Sequence, residues 1–187
     1  MHPTVSELEA IGFRFTSFDN LYESASSFEE VYSQIAEEVI RDAESRTIAY
    51  AVPGHPLIGE KAVRLIIERA REFGIQYEII GGISFIEPVL EAVGQDFTFG
   101  LKVLDALTQE ISPDPKVPNI IYQVYDRFIA SDVKLALLEI YDPEFEVAIV
   151  RSAGIKAQQD VIRVPLYKLD HGDCFCHLTT LYIPPAA

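Results

Sequence analysis

Basic residues are scarce in this chain: 15 Lys and Arg stand against 29 Asp and Glu, a net charge of −14 over 187 residues. Phosphate backbones are bound by clustered Lys and Arg that release counterions, so this balance argues against a nucleic-acid partner. Cysteine is nearly absent. The only two, Cys174 and Cys176, are one residue apart, too close to staple a fold and in keeping with a reducing compartment. Long apolar runs are missing too: no stretch approaches the roughly 20 residues that cross a bilayer. The opening MHPTVSELEA has neither the basic flank nor the apolar centre of a signal peptide. Together these absences lead to the expectation of a cytoplasmic protein with no membrane and no nucleic acid among its partners. There is also no internal repeat and no low-complexity segment.

What is present is a globular composition, 49 % hydrophobic and 24 % charged, in a chain long enough to bury a core in one or two layers. Long helical patterns alternate with short β-rich runs, which predicts a layered α/β fold with helices over a largely parallel sheet. SSFEEVYSQIAEEVIRDAES carries Phe28, Val31, Ile35 and Val39 at helical spacing, with Ser26 or Ser27 as its cap. LIGEKAVRLIIERAREFG puts Val63, Ile66 and Ile67 on one face and stops at Gly74. Before and after it, TIAYAV and IQYEII read as strands, as does FRFTSF behind a short opening helix, PTVSELEAIG. SFIEPVLEAVG is a further helix with Ser84 at its cap. The pattern then loosens over residues 94–118, where SPDPKVP holds three prolines that no helix interior or central strand accepts. This places a subdomain boundary that divides 1–99 from 100–187. Beyond it come strand NIIYQVY, helix DRFIASDVKLALLEIY, strand FEVAIV, a turn at SAG, a strand near DVIRVPL and a last strand LTTLYI.

In open α/β sheets, ligands sit where strands end and leave backbone N–H groups free. VPGHPL is such a turn: Pro53 and Pro56 fix φ, and Gly54 lets another surface approach the backbone without a Cβ in the way. GGISF and SAG repeat the arrangement. Pro and Gly also punctuate ordinary loops, so the turns alone name no ligand. His55 suits a general base near neutral pH, or simply a loop or capping residue, and the plainer role is expected. HGDCFCH at 171–177 holds zinc-type side chains, but its Cys-Phe-Cys spacing is shorter than zinc sites use, so a loop with reduced cysteines and no metal is expected. The acidic pairs Glu29-Glu30 and Glu37-Glu38 read as a solvated helix face rather than a magnesium site.

The runs AYAVPGHPLIGEKAVRLIIE, EIIGGISFIEPVLEAVG, QVYDRFIASDVKLALLEIY and VPLYKLDHGDCFCHLTTLYIPP, in this order, resemble the tetrapyrrole (corrin/porphyrin) methylase family. In particular they are similar to its branch fused to a MazG-type nucleoside triphosphate pyrophosphohydrolase. The resemblance implies two α/β subdomains with S-adenosylmethionine held folded in a cleft between them. It implies that Pro53, Gly54, His55, Pro56 and Leu57 form the loop beside this cofactor, where the common family form has Asp at the place of His55. Ser84 and Phe85 match a second cofactor-facing turn. Val124 and Tyr125 match the cover of the methionine part, and Ala153, Gly154 and Thr179 match positions near the adenine. The family opens with a strand and a GxGPG-type loop, and neither that opening nor a pyrophosphohydrolase domain is found here, so the chain is expected to begin after about one βαβ unit of the pattern.

Two functions follow from the resemblance. One is a methylase-like domain that binds S-adenosylmethionine and, in complete form, transfers its methyl group to a tetrapyrrole or related small-molecule acceptor. The other is a non-catalytic binding or regulatory module for a fused or partner pyrophosphohydrolase. Pyrophosphohydrolase activity of the chain itself is not expected. Family members pair as dimers, and a sheet edge left open at the front would favour a homodimer.

Overall fold

A computed structural model describes residues 4–108 and 110–186. The chain forms two compact units that divide between Ile83 and Ser84.

The first unit contains α1 (Thr4–Ala10), α2 (Asp19–Ser24), α3 (Phe28–Ala43) and α4 (Lys61–Glu72). Both candidate cap residues of α3 are used. The Ser27 hydroxyl accepts from the Glu30 N–H at 3.2 Å, while the Glu30 carboxylate reaches back to the N–H of Ser26 at 2.9 Å and its hydroxyl at 2.6 Å. Orphan donors of the first turn are thereby satisfied, which is what starts the helix there. Val31, Ile35, Ala36, Val39 and Ile40 form the buried stripe of α3. Arg69 of α4 donates to the Ser33 carbonyl (3.2 Å) and hydroxyl (2.9 Å) and to Glu37 (3.1 Å), which ties the two helices together.

FRFTSF, TIAYAV and IQYEII depart from expectation, because none of them forms a strand among the described residues. A β-rich run becomes a strand only when a neighbour completes its ladder. Beside two of these runs lies a cavity of about 1040 Å³, walled by Ile48 and Ile79 and by Val39, Val63, Ile66 and Ile67 of the two helices.

The second unit holds α5 (Ile86–Val93), β1 (Lys102–Asp105), β2 (Asn119–Tyr122), α6 (Arg127–Leu138), β3 (Glu146–Arg151), β4 (Asp160–Pro165) and β5 (Thr179–Ile183). The five strands make one sheet in the order β1-β2-β5-β3-β4. Only β1 and β2 pair in parallel; β5 runs antiparallel to both β2 and β3, and β4 antiparallel to β3. The sheet is therefore mixed rather than largely parallel, because β5 enters between β2 and β3 in the opposite direction. Each central strand is buried on both faces, and its side chains alternate between two cores. Ile120, Ala148, Val150 and Tyr182 pack with Val89, Leu90 and Val93 of α5. Ile121, Val147, Ile149, Leu181 and Ile183 pack with Ala130, Val133 and Leu137 of α6. The compositional break at 94–118 lies inside this unit, since α5 belongs to the same core as the strands.

On α6, Lys134 donates to Asp170 at 2.7 Å, with both side chains 16 % exposed. Burial pushes the Asp170 carboxyl up, but the hydrogen bond and charge of Lys134, with further hydrogen bonds, outweigh it and hold the group below its ordinary value. A depressed carboxyl contributes stability above its unfolded pKa of about 3.9 and loses it as the pH falls through the lower folded value. Lys134→Met is accordingly expected to lower stability by about 2 kcal/mol at pH 7, with the difference from wild type shrinking as the pH falls below about 3.9 and on through the lower folded value, as read by urea titrations across that range.

Candidate functional site

Within the first unit, the structure brings the PGHP turn against the Gly81-Gly82-Ile83 segment. Gly54 takes φ +89°, a left-handed backbone that favours glycine, and a Cβ there would lie 3.5 Å from the Ile83 carbonyl oxygen. In the other direction, a Cβ on Gly82 would collide with the carbonyl oxygen of Gly54. The two turns thus meet backbone to backbone, and only glycine permits it. Pro53 and Leu57 are exposed, and His55 and Pro56 are half-buried. His55 is engaged locally: its Nδ1 accepts from the Leu57 N–H at 3.2 Å, and its Nε2 would lie 3.3 Å from a Cβ at Gly81. This leaves His55 as a tie within the loop.

Glu60, which precedes α4 at the end of the same loop, is a residue that sequence reasoning did not single out. Burial pushes its carboxyl above the ordinary value, and its charge in turn raises the hydroxyls of Tyr22 and Tyr50, where burial is the larger cause. An acid between Gly59 and Lys61 at the start of a helix carries no signal in a single sequence.

In the second unit, Ser84 is 4 % exposed and its hydroxyl accepts from the Ile86 N–H at 3.0 Å and donates to the Glu87 carboxylate. It therefore opens α5 as expected, although the residue at the cap position itself is Phe85. The Phe85 ring packs on Tyr122 at the end of β2, with ring centroids 5.1 Å apart.

Strands β2 and β3 flank β5 and run in the same direction, so both end where β5 begins. Arg151 pairs with Thr179, and the Ile121–Leu181 register, continued by two residues, brings Gln123 level with Thr179. The candidates Val124, Tyr125, Ala153, Gly154 and Thr179 therefore gather at one end of one sheet. Val124 is fully buried and Tyr125 is 40 % exposed. Thr179 Oγ1 accepts from the Cys176 N–H at 2.8 Å, and the Gly154 N–H donates to Gln159 Oε1 at 2.8 Å. Gly154, at φ +83°, lies so close to Pro88 that a Cβ would come within 3.2 Å of it.

Two residues at this sheet end went unrecognised in the sequence. Among the described residues, Gln123 and Ser152 are the non-glycine residues with positive φ, at 64° and 49°. Neither side-chain type announces a left-handed backbone.

In the loop before β5, Cys174 and Cys176 are free thiols, and burial pushes the Cys174 thiol up. Among the described residues, no group of three or more His, Cys, Asp or Glu side chains is placed to hold a metal ion, and no helix is long and apolar enough to cross a membrane.

The mixed α/β fold is one shared with methyltransferases. The uroporphyrin-III C-methyltransferase of Thermus thermophilus superposes with a TM-score of 0.65 at 18 % identity, over 81 % of this chain and 70 % of that one. Diphthine synthase does so with a TM-score of 0.64 at 16 % identity, over 95 % and 72 %. A second structure of the Thermus thermophilus enzyme, in complex with S-adenosyl homocysteine, gives 0.57 at 14 % identity over 83 % and 73 %. The family model of the tetrapyrrole (corrin/porphyrin) methylases matches residues 3–170, and the chain belongs to that family. An uncharacterized protein, YabN, of Bacillus subtilis strain 168 is 38 % identical over 187 residues, which are 98 % of this chain. The chain spans 38 % of the length of that relative.

Proposed function

We propose that the chain binds S-adenosylmethionine and is the methyl-transfer domain of a protein acting on a tetrapyrrole or related small molecule. The observation that carries this reading is the backbone contact of the PGHP turn with Gly82, which fixes the shape of the candidate cofactor loop. S-adenosylmethionine supplies a methyl group on a positively charged sulfur. A site for it needs alignment and exclusion of water more than a general base, and a loop whose one histidine is tied to its own backbone suits that need. The ligand-binding residues proposed for the first unit are Pro53, Gly54, His55, Pro56 and Leu57, and those proposed for the second are Ser84, Phe85, Val124, Tyr125, Ala153, Gly154 and Thr179. The reading is supported by the left-handed backbone of Gly54 and its close contact with Gly82 and Ile83, which fix the course of the candidate loop.

Thermal unfolding with and without S-adenosylhomocysteine tests the reading. Ligand at about 100 times Kd stabilises by about 2.7 kcal/mol. For a chain of this size the unfolding temperature is then expected to rise by roughly 5–10 °C, and no shift at millimolar ligand overturns the proposal.

The second reading, a non-catalytic module serving a fused or partner MazG-type pyrophosphohydrolase, is favoured by the local engagement of His55 and by the greater length of the Bacillus subtilis relative. Binding of S-adenosylhomocysteine without methyl transfer to any porphyrinogen-type acceptor would select it.

A further inference from the structure

The cavity of the first unit is bordered by two runs of strand composition that have no ladder. Ile48 and Tyr50 of TIAYAV and Tyr77 and Ile79 of IQYEII line it, together with Ile66 and Ile67 of α4. Among the described residues, no hydrogen bond joins the main chain of 47–53 or of 76–82 to another main-chain group. Burial alternates along the first run: Ile48, Tyr50 and Val52 are half-buried, whereas Thr47, Ala49 and Ala51 are exposed. That is the pattern of a strand covered on one face and open on the other. Two such backbones on one cavity are completed by an extended segment that pairs with both and carries apolar side chains at every second position.

The same unit carries a segment of that description. FRFTSF forms no strand, residues 11–17 are exposed, and none of them lines the cavity of its own chain. Phe13 and Phe15 are 61 % and 43 % exposed and alternate with Arg14 and Thr16, so an extended arm turns both rings to one face. The far end of the arm is fixed at the cavity wall: Phe18 packs on Tyr50 with ring centroids 6.1 Å apart, and the Ser17 hydroxyl accepts from the Asp19 N–H at 3.1 Å. Arm and cavity therefore adjoin in each chain, and a two-fold contact that brings one arm to a second cavity brings the second arm to the first. We propose that the chain forms a homodimer by strand exchange, in which residues 13–17 of each copy pair with TIAYAV and IQYEII of the other. A buried Phe covers about 150–250 Å². Two rings from each copy, with the walls they cover, then bury roughly 1,200–2,000 Å², the size of a stable specific interface. This interface is independent of the ligand proposed above.

Sedimentation velocity of the full chain over a range of concentrations tests the proposal, together with amide hydrogen exchange. A dimer is expected whose formation slows exchange at 47–52 and 76–81 by at least about tenfold relative to the dilute monomer, because a ladder is gained there. Phe15→Asp is expected to weaken dimerisation by about a hundredfold. Its ring is exposed in the single chain, so the dilute variant should unfold at the temperature of the dilute wild type. Ile79→Lys, in the cavity wall, is expected to weaken dimerisation to a similar extent. A mixture of the two variants should regain dimers, because the intact arm of the Ile79→Lys copy fits the intact cavity of the Phe15→Asp copy. That rescue separates exchange of arms from any other mode of pairing. If Ile79→Lys does not fold, Phe15→Asp and the amide protection carry the test. A wild type that stays monomeric, a dimer indifferent to Phe15→Asp, or a dimer whose two runs exchange as in the monomer overturns the proposal. So does a monomer whose two runs are protected only by an added peptide of alternating Val and Thr, which would make the occupant a strand of another polypeptide.

Discussion

Gly82→Ala is expected to destabilise the chain by about 3 kcal/mol and to weaken S-adenosylhomocysteine binding by at least about tenfold. The added Cβ would collide with the Gly54 carbonyl oxygen and lie 3.1 Å from the Gly54 carbonyl carbon. Both are backbone atoms of a turn stiffened on either side by Pro53 and Pro56, so no rotamer change relieves the overlap. The turns must part, and the surface offered to the ligand changes with them. Gly81→Ala is the control. Its Cβ would meet Nε2 of His55 at 3.3 Å, the end of a side chain that can rotate away by giving up the hydrogen bond from the Leu57 N–H. That cost is expected to stay within about 1 kcal/mol. Urea unfolding and ligand-induced thermal shifts of both variants check the pair of predictions; equal, mild effects would show that the two turns do not meet through their backbones.

How far such a contact can be read from sequence depends on what kind of residue makes it. Prolines and glycines mark the turns at Gly54 and Gly82 by themselves, but their mutual approach is a tertiary fact that no local pattern encodes. Gln123 and Ser152 lie further out of reach, because their strained backbones are imposed by the ends of β2 and β3 rather than by their side-chain types. Strands of the second unit were legible for a plain reason: NIIY, EVAIV and TTLYI are apolar on both faces, and both faces are buried. Strand β1 was not, since KVLD is four residues long, half-exposed and set in the loosened stretch before the prolines. The reverse error occurred at TIAYAV and IQYEII. Their composition suits a strand, yet a strand is a relation between two chains' backbones, and the space beside them is a cavity. Alternation of helix and strand patterns predicts a largely parallel sheet, whereas β5 returns antiparallel between β2 and β3, a direction that no local pattern encodes.

The proline-rich stretch that reads as a break in the sequence is fastened to the sheet by one side chain, and Asn119→Leu is expected to show it by lowering stability by about 3 kcal/mol. Asn119 is fully buried at the start of β2. Its Oδ1 accepts from the Asp114 N–H at 2.8 Å, and its Nδ2 donates to the carbonyls of Asp114 at 2.8 Å and Val117 at 2.9 Å and to the Tyr141 hydroxyl at 3.3 Å. Leucine matches the volume but leaves these backbone groups without a partner where water cannot readily replace it, so the loss is set by several unpaired groups rather than one. For a chain of this length about 3 kcal/mol corresponds to an unfolding temperature lower by roughly 6–12 °C. Tyr141→Phe removes only the longest of the four bonds and is expected to cost less than about 1 kcal/mol. The same variant also tests how the clasp bears on the site, because β2 is four residues long and carries Asn119 at one end and the run into Gln123 and Val124 at the other. If the folded Asn119→Leu variant binds S-adenosylhomocysteine as wild type does, the pairing of β2 with β1 and β5 is enough to hold the sheet end in place. If affinity falls along with stability, the position of Val124 is set from the far end of its own strand, and the SPDPKVP stretch belongs to the support of the site.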